Sequence, residues 1–332
     1  MSSGIILAAA QIAPVVLDLN ASVLKVCSAI REAAKNDADL IVFPEAFLPS
    51  YPFWVWFVPA GRTKVLRDLY SSLVESSVDI DGDAVRTICD AAKDARINVI
   101  LGVNERSSES SRATLFNSLL FITSKGVIAG RHRKLVPTVG ERMVHGRGDG
   151  SSLQGYDLPG VGRVGGLICW ENYMPLVRYT LYADGVQILA APTWDRGEPW
   201  LSTIRHIAKE GRVFVIGCCS AIKKDQIGDL ADKLSDFLPD SDWINPGGSA
   251  IVDPDGKLMT EPLMESEGIL YAEVDRSQFT GPRYQLDVAG HYARPDIFEL
   301  RVNKRPQTAD VNVLGFEEEI ESVDLGNGTT EK

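Results

Sequence analysis

Three side chains in this 332-residue sequence stand directly after apolar runs, where a reactive group could be held at an element's end. Glu45 follows Ile41-Val42-Phe43-Pro44, Lys134 follows a run ending near Arg131, and Cys169 follows Gly165-Gly166-Leu167-Ile168. A thiol is a weak nucleophile until it is deprotonated, and free cysteine has a pKa of about 8.5. A neighbouring carboxylate can take the proton as the sulfur attacks. An ammonium can stabilise both the thiolate and the anion that develops on a substrate. Taken one at a time these residues say little. A strand-end cysteine is commonly a small core residue, and a lone Glu or Lys commonly lies at the surface.

The elements that must position them alternate in kind. Residues 5–11 read as a strand, followed by Val23, Val26, Cys27, Ile30, Ala33 and Ala34 at helical spacing, with Asn20 as the N-cap. Residues 40–43 form a second buried strand, stopped by Pro44. Val85, Ile88, Cys89 and Ala92 mark another amphipathic helix, and strands follow at 98–103, 117–123 and 126–131. The second half repeats the rhythm: strands at 164–169, 186–191, 213–219, 249–252 and 268–274, with helices over 175–183 and around Trp200, Ile204, Ile207 and Ala208. Alternation of this kind defines an α/β protein, and α/β folds place their sites at strand carboxyl ends. Two similar halves suggest two packed sheets with helices outside, although periodicity alone also fits one doubly wound sheet. With no Pro/Gly/Ser-rich linker, residues 1–306 read as a single domain. Residues 307–332 read as a loose acidic tail; the stretch 316–332 carries −5 of the net −11.

Composition excludes several classes. Five cysteines without a CxxC pair rule out a disulfide scaffold and a zinc ribbon. Cys27 and Cys89 lie on apolar helix faces, and Cys218-Cys219 read as two buried thiols on opposite faces of a strand. His132, His145, His206 and His291 show no metal-ligand spacing. An acidic pI near 5.0 and the lack of a basic block argue against a nucleic-acid partner. No apolar run is long enough for a membrane span, and the N-terminus lacks the basic region of a signal peptide. A reducing, cytoplasmic location is the expectation. Gly146-Arg147-Gly148-Asp149-Gly150 lacks the Gly-Lys-Ser/Thr ending of a phosphate loop.

Aromatic density singles out a further segment, 51–57, six residues after Glu45. It could line an apolar pocket, with Tyr51 the nearest candidate, or belong to the core or a subunit contact.

The stretches Phe43-Pro44-Glu45-Ala46-Phe47, Arg133-Lys134-Leu135-Val136-Pro137-Thr138 and Cys169-Trp170-Glu171-Asn172 together resemble the three signature segments of the nitrilase branch of the carbon–nitrogen hydrolase superfamily. Gly140-Glu141-Arg142, the segment 145–150 and the late Gly290-His291-Tyr292-Ala293-Arg294-Pro295-Asp296 strengthen the likeness, which runs from about residue 5 to 301. The resemblance implies a four-layer α-β-β-α sandwich with no cofactor and no metal. It implies Glu45 as general base, Lys134 as stabilising cation, Cys169 as nucleophile and Glu141 as a second, orienting carboxylate. Cys-Trp-Glu is typical of true nitrilases, so hydrolysis of a nitrile to acid and ammonia is the expected reaction. An amidase or carbamoylase, or a non-catalytic interaction module, are the alternatives. Trp170, Pro192, Thr193, Trp194 and His145 join Tyr51 as expected substrate-pocket residues. The resemblance also implies a homodimer extending into spiral or helical filaments, with the aromatic segment and the region after Asp296 as contact surfaces.

Overall fold

A computed structural model describes residues 4–107 and 111–306. The acidic tail expected over 307–332 lies outside the described residues. In chain order the strands are β1 (Ile5–Gln11), β2 (Leu40–Val42), β3 (Asn98–Arg106), β4 (Leu115–Ile122), β5 (Ile128–Arg133), β6 (Tyr156–Leu158), β7 (Gly162–Gly166), β8 (Ile188–Thr193), β9 (Phe214–Cys219), β10 (Ala221–Lys223), β11 (Trp243–Val252), β12 (Leu263–Met264) and β13 (Gly268–Val274). The main helices are α1 (Leu19–Lys35), α2 (Thr63–Ser76), α3 (Asp83–Ala95), α4 (Pro175–Ala183) and α5 (Glu198–Gly211).

Two sheets stack face to face. One runs β13-β1-β2-β3-β4-β5; the other runs β10-β11-β9-β8-β7-β6, with β12 on β11. Strand alternation explains how each sheet serves two layers. In β1, Leu7 and Ala9 face the second sheet, whereas Ala8 and Ala10 face α1 and α3. Leu40 and Val42 face inward in the same way and Ile41 outward. Ile188, Ala190, Phe214 and Ile216 close the inter-sheet core from the other side. Leu189, Ala191 and Val215 pack outward on Leu181, Trp200 and Ile204 of α4 and α5. The result is the α-β-β-α sandwich, with two packed sheets rather than a doubly wound one.

Local details refine the sequence reading. Helix α1 is capped by Asp18, whose carboxylate accepts from Ala21 N at 2.9 Å; Asn20 lies inside the first turn. Helix α2 has only Leu69 and Leu73 buried, too weak a stripe to stand out by periodicity. Strand β5 extends to Arg133, so Lys134 follows it without a gap. The aromatic segment is mostly core: Tyr51, Phe53 and Trp54 are buried and only Trp56 is exposed. The thiols of Cys27, Cys218 and Cys219 are buried and unlinked, and Cys89 is half-buried.

Candidate active site

Four strand ends converge. β2 delivers Glu45, β5 delivers Lys134, β7 leads into Cys169, and β8 ends on Thr193. Close approach of backbone is built into the first of these. A Cβ on Gly102 of β3 would stand 2.1 Å from Pro44 O and 2.7 Å from Ala46 N, so only glycine lets β3 support the Glu45 turn. Gly148 does the same for Lys134. Its N–H donates to Lys134 O at 2.8 Å, and a Cβ there would lie 2.2 Å from Arg133 O. The 145–150 loop is thus a tight brace on the lysine segment. Backbone strain also gathers at the site: Ala46, Val139 and Cys169 all adopt positive φ, 53° at Cys169.

Lys134 is the hub. Its ammonium donates to Glu45 Oε1 and to Glu141 Oε2, each at 2.7 Å, and all three side chains are fully buried. Such a buried charge persists only because two carboxylates replace its hydration. Asn117 Nδ2 donates to Glu45 Oε1 at 2.8 Å, while Glu45 Oε2 is buried without a hydrogen-bond partner. Glu141 is held further by the Tyr51 hydroxyl at 2.6 Å and the Thr138 N–H at 2.8 Å. The Thr193 hydroxyl donates to the Cys169 sulfur at 3.2 Å and accepts from Asp195 N, which leaves its proton for the thiol side.

Electrostatics divides the two carboxylates. Burial lifts the Glu45 pKa to about 7, with Lys134 opposing and the Glu141 charge adding to the rise. Burial also acts to raise Glu141, but the Lys134 ammonium and the hydrogen bonds outweigh it and hold this carboxyl below its usual range. Burial acts to lower Lys134, yet Glu45, Cys169 and Glu141 outweigh it and keep the ammonium firmly charged. The Cys169 thiol is pushed up by burial and by the Glu45 charge, against the help of Lys134. The resting sulfur is therefore a thiol. Its proton has a nearby acceptor in Glu45, which titrates in the neutral range and has one carboxylate oxygen uncommitted.

The remaining expected residues divide. Tyr51 both bonds Glu141 and stacks on Trp194, ring centroids 4.4 Å apart. Trp56 Nε1 donates to the Tyr51 hydroxyl at 2.8 Å. Pro192 lies buried in β8 beside Thr193. Trp170 follows Cys169 directly in the chain; its ring is half exposed, donates to Asp195 Oδ2 and packs edge-on against Tyr173. His145 is buried with Nε2 2.8 Å from Asn104 Oδ1. The Asn104 amide nitrogen serves the carbonyls of Ala46, Leu48 and Ser50, so its oxygen is the acceptor and Nε2 carries the ring proton. Burial lowers the His145 pKa to about 4, with Glu141 opposing and Lys134 assisting, and the ring is neutral.

Sequence reasoning missed Asn117, Asn104, Thr138 and Glu171. Thr138-Val139-Gly140-Glu141 does carry a legible signal, the Thr-x-x-Glu capping pattern. A polar residue inside an apolar strand was the only sign of Asn117. Among the described residues, no group of three or more His, Cys, Asp or Glu could hold a metal ion.

Known proteins share this architecture. The carbon–nitrogen hydrolase family model matches residues 6–284, and the chain belongs to that family. A nitrilase of Bradyrhizobium diazoefficiens is 40% identical over 291 residues, covering 87% of this chain and 88% of its own. An aliphatic nitrilase of Sinorhizobium fredii is 39% identical, over 92% and 97% of the two chains. The crystal structure of Saccharomyces cerevisiae Nit3, a member of branch 10 of the nitrilase superfamily, superposes with a TM-score of 0.68 at 20% identity, over 89% of this chain and 98% of that one.

Proposed function

We propose that this protein is a nitrilase that converts an organic nitrile to the carboxylic acid and ammonia through Cys169. The observation that carries the reading is the buried Glu45–Lys134–Glu141 fork beside a thiol hydrogen-bonded by Thr193. Relatives named nitrilase, matched over most of both chains, support the choice of nitrile. In the reaction, the Cys169 sulfur bonds to the nitrile carbon as its proton passes by way of Glu45 to the nitrile nitrogen, giving a thioimidate. Water adds to this C=N bond, with Glu45 accepting its proton and the nitrogen gaining one. Ammonia leaves and a thioester remains. A second water, activated by Glu45, expels the sulfur and releases the acid. Lys134 faces the anionic charge at each addition. If the sulfur leaves first from the nitrogen-bearing tetrahedral species, the product is an amide.

The test is ammonia, acid and amide release from a nitrile panel and from the matching amides. Cys169→Ala should lower turnover by roughly 10⁶-fold, the order seen when a covalent nucleophile is lost. Faster release from amides than from nitriles would make the protein an amidase, and undiminished biological activity of Cys169→Ala would make it an interaction module.

Assembly into homo-oligomers is part of the same proposal. Ile297, Phe298 and Leu300, beyond Asp296, are exposed apolar residues on a segment without regular structure, as a contact between copies requires. Sedimentation would show species larger than a dimer at rising concentration if filaments form. A cytoplasmic, reducing setting accords with five free thiols.

A further inference from the structure

Glu171 lies two residues after the thiol and is fully buried, yet it touches none of the reacting groups. Its carboxylate is instead shared between two backbone donors. Oε2 accepts from Ile168 N at 2.7 Å, and Oε1 accepts from Leu135 N at 2.7 Å. Ile168 immediately precedes Cys169, and Leu135 immediately follows Lys134. One carboxylate thus ties the segment carrying the thiol to the segment carrying the ammonium. The two belong to different sheets, since Lys134 follows β5 and Cys169 follows β7.

The side chain is itself held. His132 Nε2 lies 3.2 and 3.1 Å from the two carboxylate oxygens, and His132 Nδ1 lies 3.0 Å from the Ser152 hydroxyl. The Asn172 amide donates to Leu167 O and Cys169 O at 2.9 Å each, securing the same turn from its other end. These bonds surround a cysteine in a left-handed backbone conformation, which a non-glycine residue keeps only when its surroundings hold it there.

We propose that Glu171 is the positioning residue of the site, fixing the placement of the Cys169 thiol relative to the Lys134 ammonium by clamping Ile168 N and Leu135 N. The proposal rests on the nitrilase reading above for its turnover arm alone. In Glu171→Gln one carboxylate oxygen becomes a donor, so one of the two backbone N–H groups loses its acceptor. The thiol and the ammonium stay intact while their relation loosens. Misplacement on the ångström scale is worth about 10²-fold in rate.

The experiment compares wild type with Glu171→Gln and His132→Gln. Active sites are counted by mass-resolved alkylation of Cys169 with iodoacetamide, which needs no nitrile substrate. Expected for Glu171→Gln is a fall of about 10²-fold in kcat per alkylatable site with KM within about twofold, and slower alkylation of Cys169. Expected for His132→Gln is a loss below tenfold, since both backbone clamps remain. A merely structural role would lower the number of active sites and leave kcat per site alone; that result, or equal losses in the two variants, overturns the proposal. If Glu171→Gln folds poorly, Glu171→Asp, one methylene too short to hold both segments, is read the same way. Should wild type hydrolyse no nitrile, the function reading fails, while the alkylation rates still judge the clamp.

Discussion

Two turns at the site use one local device. At Thr138–Glu141 and at Ile168–Glu171, the glutamate N–H donates to the carbonyl three residues earlier, at 2.8 and 3.1 Å. Each glutamate side chain returns to the N–H of that same earlier residue, at 2.8 and 2.7 Å. Both carboxylates are buried. Their outer partners differ completely. Glu141 meets the Lys134 ammonium and the Tyr51 hydroxyl; Glu171 meets the Leu135 N–H and the His132 ring. A capping turn orients a carboxylate, but the donors brought to it from distant elements decide whether that carboxylate shapes the charge of the site or holds its framework. In the first turn it adjusts the titration of Glu45; in the second it joins two segments.

The lysine is where the two turns differ most. Lys134→Gln leaves Glu45 and Glu141 facing each other in a buried space. We expect kcat/KM to fall at least about 10³-fold and urea unfolding to report a loss of about 3–5 kcal/mol. A variant keeping a tenth of wild-type activity would show that the first turn is not the charged half of the site.

A finer test sets the two glutamates side by side in pH profiles of kcat/KM. In the proposed reaction Glu45 takes the thiol proton and must be ionised to do so, so activity should rise with pH through an acid limb near 7, where burial has placed its pKa. The Glu141 charge contributes to that elevation. Removing it in Glu141→Gln should therefore move the limb to lower pH, alongside a drop in rate. The main influences on the Glu45 pKa are burial, Lys134 and Glu141, so Glu171→Gln should lower the plateau and leave the limb in place. A shared displacement would erase the distinction between the turns.

The smallest effect belongs to Thr193→Val. The hydroxyl favours the thiolate, partly offsetting burial. Its loss should slow iodoacetamide alkylation of Cys169 about threefold at pH 8, in line with one modest hydrogen bond. No change would remove Thr193 from the thiol's environment.

Much of this is legible in the sequence. Apolar runs ending in Glu45, Lys134 and Cys169 marked the strand ends where the side chains meet, and β1, α4 and β13 keep the bounds that periodicity implied. Short strands such as β6, β10 and β12 carry too few residues for a pattern, and α2 shows too narrow an apolar stripe. The position of Tyr51 after Glu45 suggests only a pocket wall. Its hydrogen bond to Glu141 crosses 90 residues of chain and has no local signature.

The sequence by itself determined the alternation of elements, the α/β class and the types of the candidate reacting groups, because these depend on local periodicity and side-chain chemistry. It also held the Thr-x-x-Glu pattern that orients Glu141. Only the tertiary structure decided that Glu45 titrates near neutrality while Glu141 stays ionised, and that Glu171 joins two sheets rather than facing the ammonium. Those properties arise from burial and from donors far apart in the chain, and the loss of hydration and the charge–charge interactions behind them depend on distances that folding alone sets.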